Sequence, residues 1–242
     1  MKITTGVHRL GTGLINAYLV EESGEVTVID AGLPAYWGDL PAELATMGRS
    51  LSDIRAVVLT HGHSDHIGFA ERARVELKVP VEVTEIDAAL ARGTIKNPGG
   101  SAGKVSIGPL LRFIGYSLRK GGLRNRNPVE VVTFGDGATL DVPGSPRVIL
   151  LPGHTPGSAA LHVPSVGALF VGDAIATVSV ASGITGPMIA PFSADRAVAL
   201  QSLKRLDGVE AAWLLPGHGQ PWTGGVDGAV KKIQDDAAEQ AG

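Results

Sequence analysis

Residues 54–66 read IRAVVLTHGHSDH. The run Ile54–Leu59 is short and uninterruptedly apolar, which predicts a buried strand. It empties into Thr60-His61-Gly62-His63-Ser64-Asp65-His66, so four side chains able to bind a metal fall within six residues. A lone histidine at a strand end reads as a hydrogen-bonded turn residue. Four imidazole and carboxylate donors where a strand becomes a loop can instead gather around one point, and these donors suit zinc, iron or manganese. The same local pattern recurs further along. His154 follows VILLPG, His218 follows AAWLLPG and Asp173 follows LFVG. Each is an apolar run that stops in a tight turn and then presents a polar donor. Asp173 alone would read as a turn residue, but beside His154 and His218 it reads as a ligand.

The rest of the composition narrows the chemistry. The chain has 242 residues and no cysteine, so disulfides and thiolate metal sites are excluded and nitrogen and oxygen donors must do the binding. A net charge of −3 gives no global bias toward nucleic acid or membranes. No stretch approaches the roughly 20 apolar residues of a membrane span. MKITTGVHRLGTG lacks the apolar run of a signal peptide, so the expected location is cytoplasmic. Strands are expected at 3–10, 14–20, 26–29, 81–84, 129–134, 138–141, 147–151, 159–163, 168–171 and 212–215. Helices are expected at about 40–47, 67–77 and 226–239, with another from a cap at Ser193 to Leu206. Two strand-rich halves flanked by helices suggest a single α/β domain, a sheet-on-sheet sandwich covered by helices. The segment at about 92–126 stands apart as an insertion. It carries Arg92, Lys96, Lys104, Arg112, Arg119, Lys120, Arg124 and Arg126 without one acidic residue, and its middle, VSIGPLLRFIGYSL, has an amphipathic pattern.

THGHSDH resembles the H-x-H-x-D-H motif of the metallo-β-lactamase superfamily, and the later His154, Asp173 and His218 complete that family's ligand order. The resemblance runs from Asp30 to His218. It implies an αββα sandwich with a binuclear site at one edge. It also implies that His61, His63 and His154 hold one metal, and that Asp65, His66 and His218 hold the other. Asp173 would bridge the two ions beside a hydroxide, and Asp30, closing VTVIDAG, would support the ligand loop from outside. Two Zn2+ ions are the expected cofactors, with iron or manganese also suited to this donor set. Asp65 and Asp173 are the expected catalytic carboxylates, Asp65 by orienting the nucleophile or carrying a proton.

Departures from the family's branches narrow the expected reaction. Zinc β-lactamases of the family carry Cys or Ser where Asp173 stands, and flavin-linked diiron members resemble H-x-E-x-D where this chain has His63. Type II glyoxalases add a C-terminal helical domain, whereas about 24 residues follow His218 here. The family's nucleases carry longer additions. What remains is a metallo-hydrolase of ester-like bonds: a lactone, thioester or related acyl compound. The alternative is a mononuclear iron persulfide dioxygenase on the same fold, which would use fewer of the seven ligands. A nucleic-acid role through the basic segment is disfavoured, because a charge run is ordinarily a solvated face. The expected partner is a small molecule, anionic with an apolar part. The basic and apolar segment would form its entrance, with the cations at the rim, and a homodimer through the same segment is compatible with the sequence. His8 and His162 match no motif and read as structural or surface histidines.

Overall fold

The computed structural model describes residues 1–241. The chain starts with β1 (Lys2–Thr4), β2 (Val7–Gly11), β3 (Asn16–Glu22) and β4 (Glu25–Ile29), each antiparallel to the one before. Helix α1 (Tyr36–Thr46) leads to β5 (Ile54–Val58), α2 (Ala70–Leu77), β6 (Val81–Thr84) and the short α3 (Ala88–Ala91). Then come α4 (Ile107–Arg119) and β7 (Val132–Phe134). Strands β4 to β7 run parallel, so β1 to β7 make one mixed seven-stranded sheet in sequence order. The second sheet contains β8 (Arg147–Leu150), β9 (Ala159–Val163), β10 (Ala168–Gly172) and β13 (Trp213–Pro216), in the order β13-β10-β9-β8. Between β10 and β13 lie the hairpin β11 (Ala176–Val178) and β12 (Thr185–Met188) and helix α5 (Arg196–Ser202); α6 (Val226–Ala241) follows β13.

Period-two alternation sorts the apolar side chains into three layers. From β3, Tyr18 and Val20 enter the space between the sheets while Ala17 and Leu19 face the helices. From β5, Ala56 and Val58 point inward, while Val57 and, just past the strand, Leu59 point outward. Ala168 and Phe170 of β10 meet them from the other sheet, while Leu169 and Val171 face away. The outer face of the first sheet is covered by Tyr36, Leu40 and Leu44 of α1, Ala70 and Ala73 of α2 and Tyr116 of α4. Ala199, Leu203, Leu206, Val230 and Ile233 cover the outer face of the second. This is the expected αββα sandwich.

Local boundaries depart from the sequence reading where backbone chemistry intervenes. Residues 138–141 form one isolated bridge, Thr139 to Arg147, and not a strand. Pro143 and Pro146 remove donors that a ladder would need. Helix α1 begins upstream of Pro41, because Tyr36 and Trp37 are buried and packing carries the helix through the proline. Helix α2 starts at Ala70, since Ile67 and Phe69 still belong to the turn leaving the histidine loop. The cap of α5 is Asp195, which accepts from the Val198 amide at 2.9 Å, and not Ser193. Among the described residues no helix is long and apolar enough to cross a membrane.

Candidate metal centre

Strands β4, β5, β8, β10 and β13 all present their carboxyl ends to the same edge of the sandwich. Asp30 follows β4, residues 60–66 follow β5, His154 follows β8, Asp173 follows β10 and His218 follows β13. The two sheets are tied together there: the Ala159 amide donates to Thr60 O at 2.9 Å and the Gly217 amide to Gly172 O at 2.8 Å. All seven sequence-selected residues converge at this edge. His61, His63 and His154 form one group able to hold a metal, Asp65, His66 and His218 a second, and Asp173 joins His61 and His66 in a third. Asp173 sits centrally, 3.0 Å from His218 Nε2 and 3.5 Å from both His66 Nε2 and His154 Nε2. Asp65 lies 3.4 Å from His218 Nε2 and is the most exposed of the set, with 20% of its side chain accessible.

Hydrogen bonds behind the rings fix their tautomers. The carbonyl of Leu14 can only accept, so His218 Nδ1 donates to it. His66 Nδ1 donates to Asp30 Oδ2 at 2.9 Å. Thr60 Oγ1 gives its proton to Asp30, so it accepts from His61 Nδ1 at 3.0 Å. Ser193 Oγ donates to Ala190 O and accepts from His154 Nδ1 at 3.2 Å. Each of these four rings therefore turns an unprotonated or displaceable Nε2 toward the common centre. His63 turns Nδ1 inward, 2.9 Å from His154 Nε2. His61 Nε2, His66 Nε2 and Asp173 Oδ1 are buried without a hydrogen-bond partner. A buried unsatisfied polar atom costs about 1–3 kcal/mol. Three such atoms around one point fit a missing cationic partner.

The electrostatics say the same thing in another way. Burial, joined by the neighbouring rings, holds His61 well below the ordinary histidine range, and burial takes His154 down to about 3 and lowers His63. Burial also opposes charge on His66 and His218, but the carboxylates outweigh it: Asp173, Asp30 and Asp65 keep His66 well above its usual value, and Asp173 and Asp65 push His218 up to about 10. Asp65 and Asp173 are in turn held low against their burial by those two rings. The carboxylates that favour positive charge on these two rings would favour a metal cation at the same place.

Two residues of the site were not selected from sequence. Asp87, just before α3, is buried and accepts from the Gly62 amide at 2.9 Å, Thr155 Oγ1 at 2.7 Å and the Gly157 amide at 2.8 Å. It ties the histidine loop to the loop bearing His154. Ser193, read as a helix cap, orients His154. His8 and His162 lie elsewhere: His8 bonds Glu43, and His162 donates to Glu210 O.

Above the donors lies a cavity of about 310 Å³. Asp65, His63, His154, Asp173 and His218 form its floor, and Phe113, Ile114, Leu118 and Leu123 form much of its wall. The 92–126 segment thus borders the centre. None of its lysines or arginines lines the cavity itself. Lys120 is paired with Asp39 at 2.7 Å, and Arg119 lies over the Tyr116 ring. Helix α4 turns an apolar side to the cavity and its cations away.

The sequence profile of the metallo-beta-lactamase superfamily matches residues 10–218. The chain belongs to that superfamily. This metallo-hydrolase is 29% identical to the probable metallo-hydrolase YflN of Bacillus subtilis (strain 168) over 252 residues, covering 98% of this chain and 90% of YflN. Among solved structures, the metallo-β-lactamase family protein TTHA1429 from Thermus thermophilus matches the metallo-hydrolase with a TM-score of 0.66 at 26% identity. That match covers 98% of this chain and 80% of the other. TTHA1623 in a di-iron-bound form matches with a TM-score of 0.62 at 27% identity, covering 93% of this chain and 96% of the other.

Proposed function

We propose that this metallo-hydrolase is a binuclear zinc enzyme that cleaves an ester-like bond in a lactone, thioester or related acyl compound. His61, His63 and His154 would hold one ion, Asp65, His66 and His218 the other, and Asp173 would serve both, with the whole chain acting as one domain. The carrying observation is the set of inward, unpartnered donor atoms on rings whose tautomers are fixed from behind. Zinc held there would supply water with a pKa of about 7 and a Lewis acid for an acyl oxygen.

The protein's own groups do the rest. Asp173 reaches both donor groups and keeps them at a fixed separation. Asp65, facing the cavity, takes a proton from the attacking water and returns it to the leaving atom. Water adds to the acyl carbon, the bond from that carbon to the leaving oxygen or sulfur breaks, and the leaving atom receives the proton. Phe113, Ile114 and Leu118 hold the apolar part of the acyl group and exclude water. The apolar wall favours a substrate with an acyl chain.

Seven converging donors favour two ions over the single iron of a persulfide dioxygenase. The test is metal analysis of protein purified without added metal, combined with turnover of a lactone and thioester panel. Two zinc ions per chain with hydrolysis are expected. A single iron with oxygen uptake on a persulfide would replace this reading with the oxygenase, and two irons with hydrolysis would change the metal alone.

A further inference from the structure

Helix α4 has two apolar sides, one turned to the core and one running from the cavity wall out into solvent. Phe113 and Tyr116 turn inward. Ile107, Leu111, Ile114 and Leu118 follow one another at i, i+4, i+7 and i+11, so they lie in one narrow stripe, and all four are exposed, Ile107 to 77% and Leu111 to 61%. Leu123, just beyond the helix, is 87% exposed. A contiguous exposed apolar patch of this kind marks an interaction surface.

Charge identifies what covers it. Arg112 and Arg119 lie on α4 beside the stripe, Lys104 precedes it and Arg124 follows it, and none of these four makes an ion pair among the described residues. Residues 92–126 contain no Asp or Glu. A second copy docking through the same face would set cations against cations, because a two-fold interface brings a patch onto itself. An apolar stripe flanked by cations on a convex helix matches an anionic lipid surface, with the stripe at the acyl boundary and the arginines among the headgroups. Ile114, Leu118 and Leu123 belong to both the exposed face and the cavity wall, so the outer patch is continuous with the site.

We propose that α4 seats the protein on an anionic lipid surface and that the cavity takes acyl-chain substrates directly from it. The docking stands on the surface alone; the substrate class rests on the ester-hydrolase reading above. In the reaction, water is added across the acyl bond to give a free acid and the released alcohol or thiol, with no other reactant.

The experiment is sedimentation of the metal-loaded protein with vesicles of phosphatidylcholine alone or mixed with phosphatidylglycerol. Ile107→Ser/Leu111→Ser and Arg112→Ser/Arg119→Ser are run in parallel; none of these residues lines the cavity. Association is expected with the mixed vesicles, weakened by about tenfold or more in either variant and by high salt. Turnover of a vesicle-borne long-chain ester should fall with it, while a short water-soluble ester is hydrolysed at the unchanged rate. Three results overturn the docking: equal binding to both vesicle types, no binding to either, or binding undiminished in the variants. A dimer by sedimentation velocity that is lost in the Ile107→Ser/Leu111→Ser variant would assign the face to a second copy, and tight binding to polyglutamate but not to vesicles would assign it to an acidic protein. Vesicle association without any ester turnover would leave the docking intact and refute the reaction class.

Discussion

Asp173 is the carboxylate within 3.5 Å of His66, His154 and His218 together. Asp173→Ala should lower hydrolysis on the order of 10³-fold and reduce bound metal from two ions toward one per chain. Kinetics and metal analysis on the same preparation check both, and full loading with normal turnover would remove it from the proposed bridging position. Asp87 acts differently. Asp87→Ala leaves the buried Gly62 and Gly157 amides without acceptors and leaves the Thr155 hydroxyl with Ser158 Oγ alone, so stability to urea should fall by roughly 2–4 kcal/mol. Metal affinity should also weaken, because the loops of His61–His66 and His154 lose their common anchor. The seven candidate donors could be picked out in the sequence because they follow apolar runs that end in turns, and local order alone exposes that pattern. Asp87 could not. It reads as one aspartate in a turn, and its partners come from residues 25 and about 70 positions away. Ser193 was visible only as a cap because its proximity to His154 depends on the tertiary fold.

At the scale of elements, the turn after β13 is built around a missing side chain. A Cβ on Gly217 would lie 2.2 Å from Asp173 Oδ1 and 2.5 Å from His66 Cε1. Gly217→Ala must therefore displace one donor or the strand end. The expected result is a folded protein, by circular dichroism, that binds less metal and has lost most of its activity. Unaltered metal content would show that the strand end yields without moving the donors. Gly172 has the same crowding against Thr60, with φ at +50°. Strand and helix types were readable where an apolar run was continuous, as in β5 and β10, or a hydrophobic pattern was strong, as in β3 and α4. The β11–β12 hairpin was not, because ATV and TGPM carry little periodic signal and the hairpin is specified by its packing near α6. The displacement of the α5 cap from Ser193 to Asp195 has a similar cause: both residues can cap, and the donor loop had already engaged Ser193.

Across the whole molecule, the buried charges make stability depend on pH when metal is removed. His66 and His218 are held above their unfolded value of 6.5, so their contribution is complete below that pH and is lost as pH rises, for His218 through about 10. His61 and His154 are held below 6.5, so the unfolded chain takes up more protons at these sites and stability falls as pH drops below 6.5. Urea midpoints of the metal-free protein should peak near pH 6.5, and adding zinc at pH 8 should release protons while flattening the alkaline decline. A metal-free midpoint that rises steadily from about pH 6.5 to 9 would contradict the assigned charges. The cradle of His218 carries a further implication. Asn16 Nδ2 donates to Pro216 O and Gly219 O, the latter 203 residues away, Tyr18 holds Pro216 O, and Leu14 O accepts from His218. The ribosome therefore makes the socket first and the residue that fills it 204 positions later. A nascent chain that lacks His218 presents an incomplete donor set, so tight metal capture is deferred until β13 and the turn after it have been made, and metal uptake reports that β3 and β13 have met.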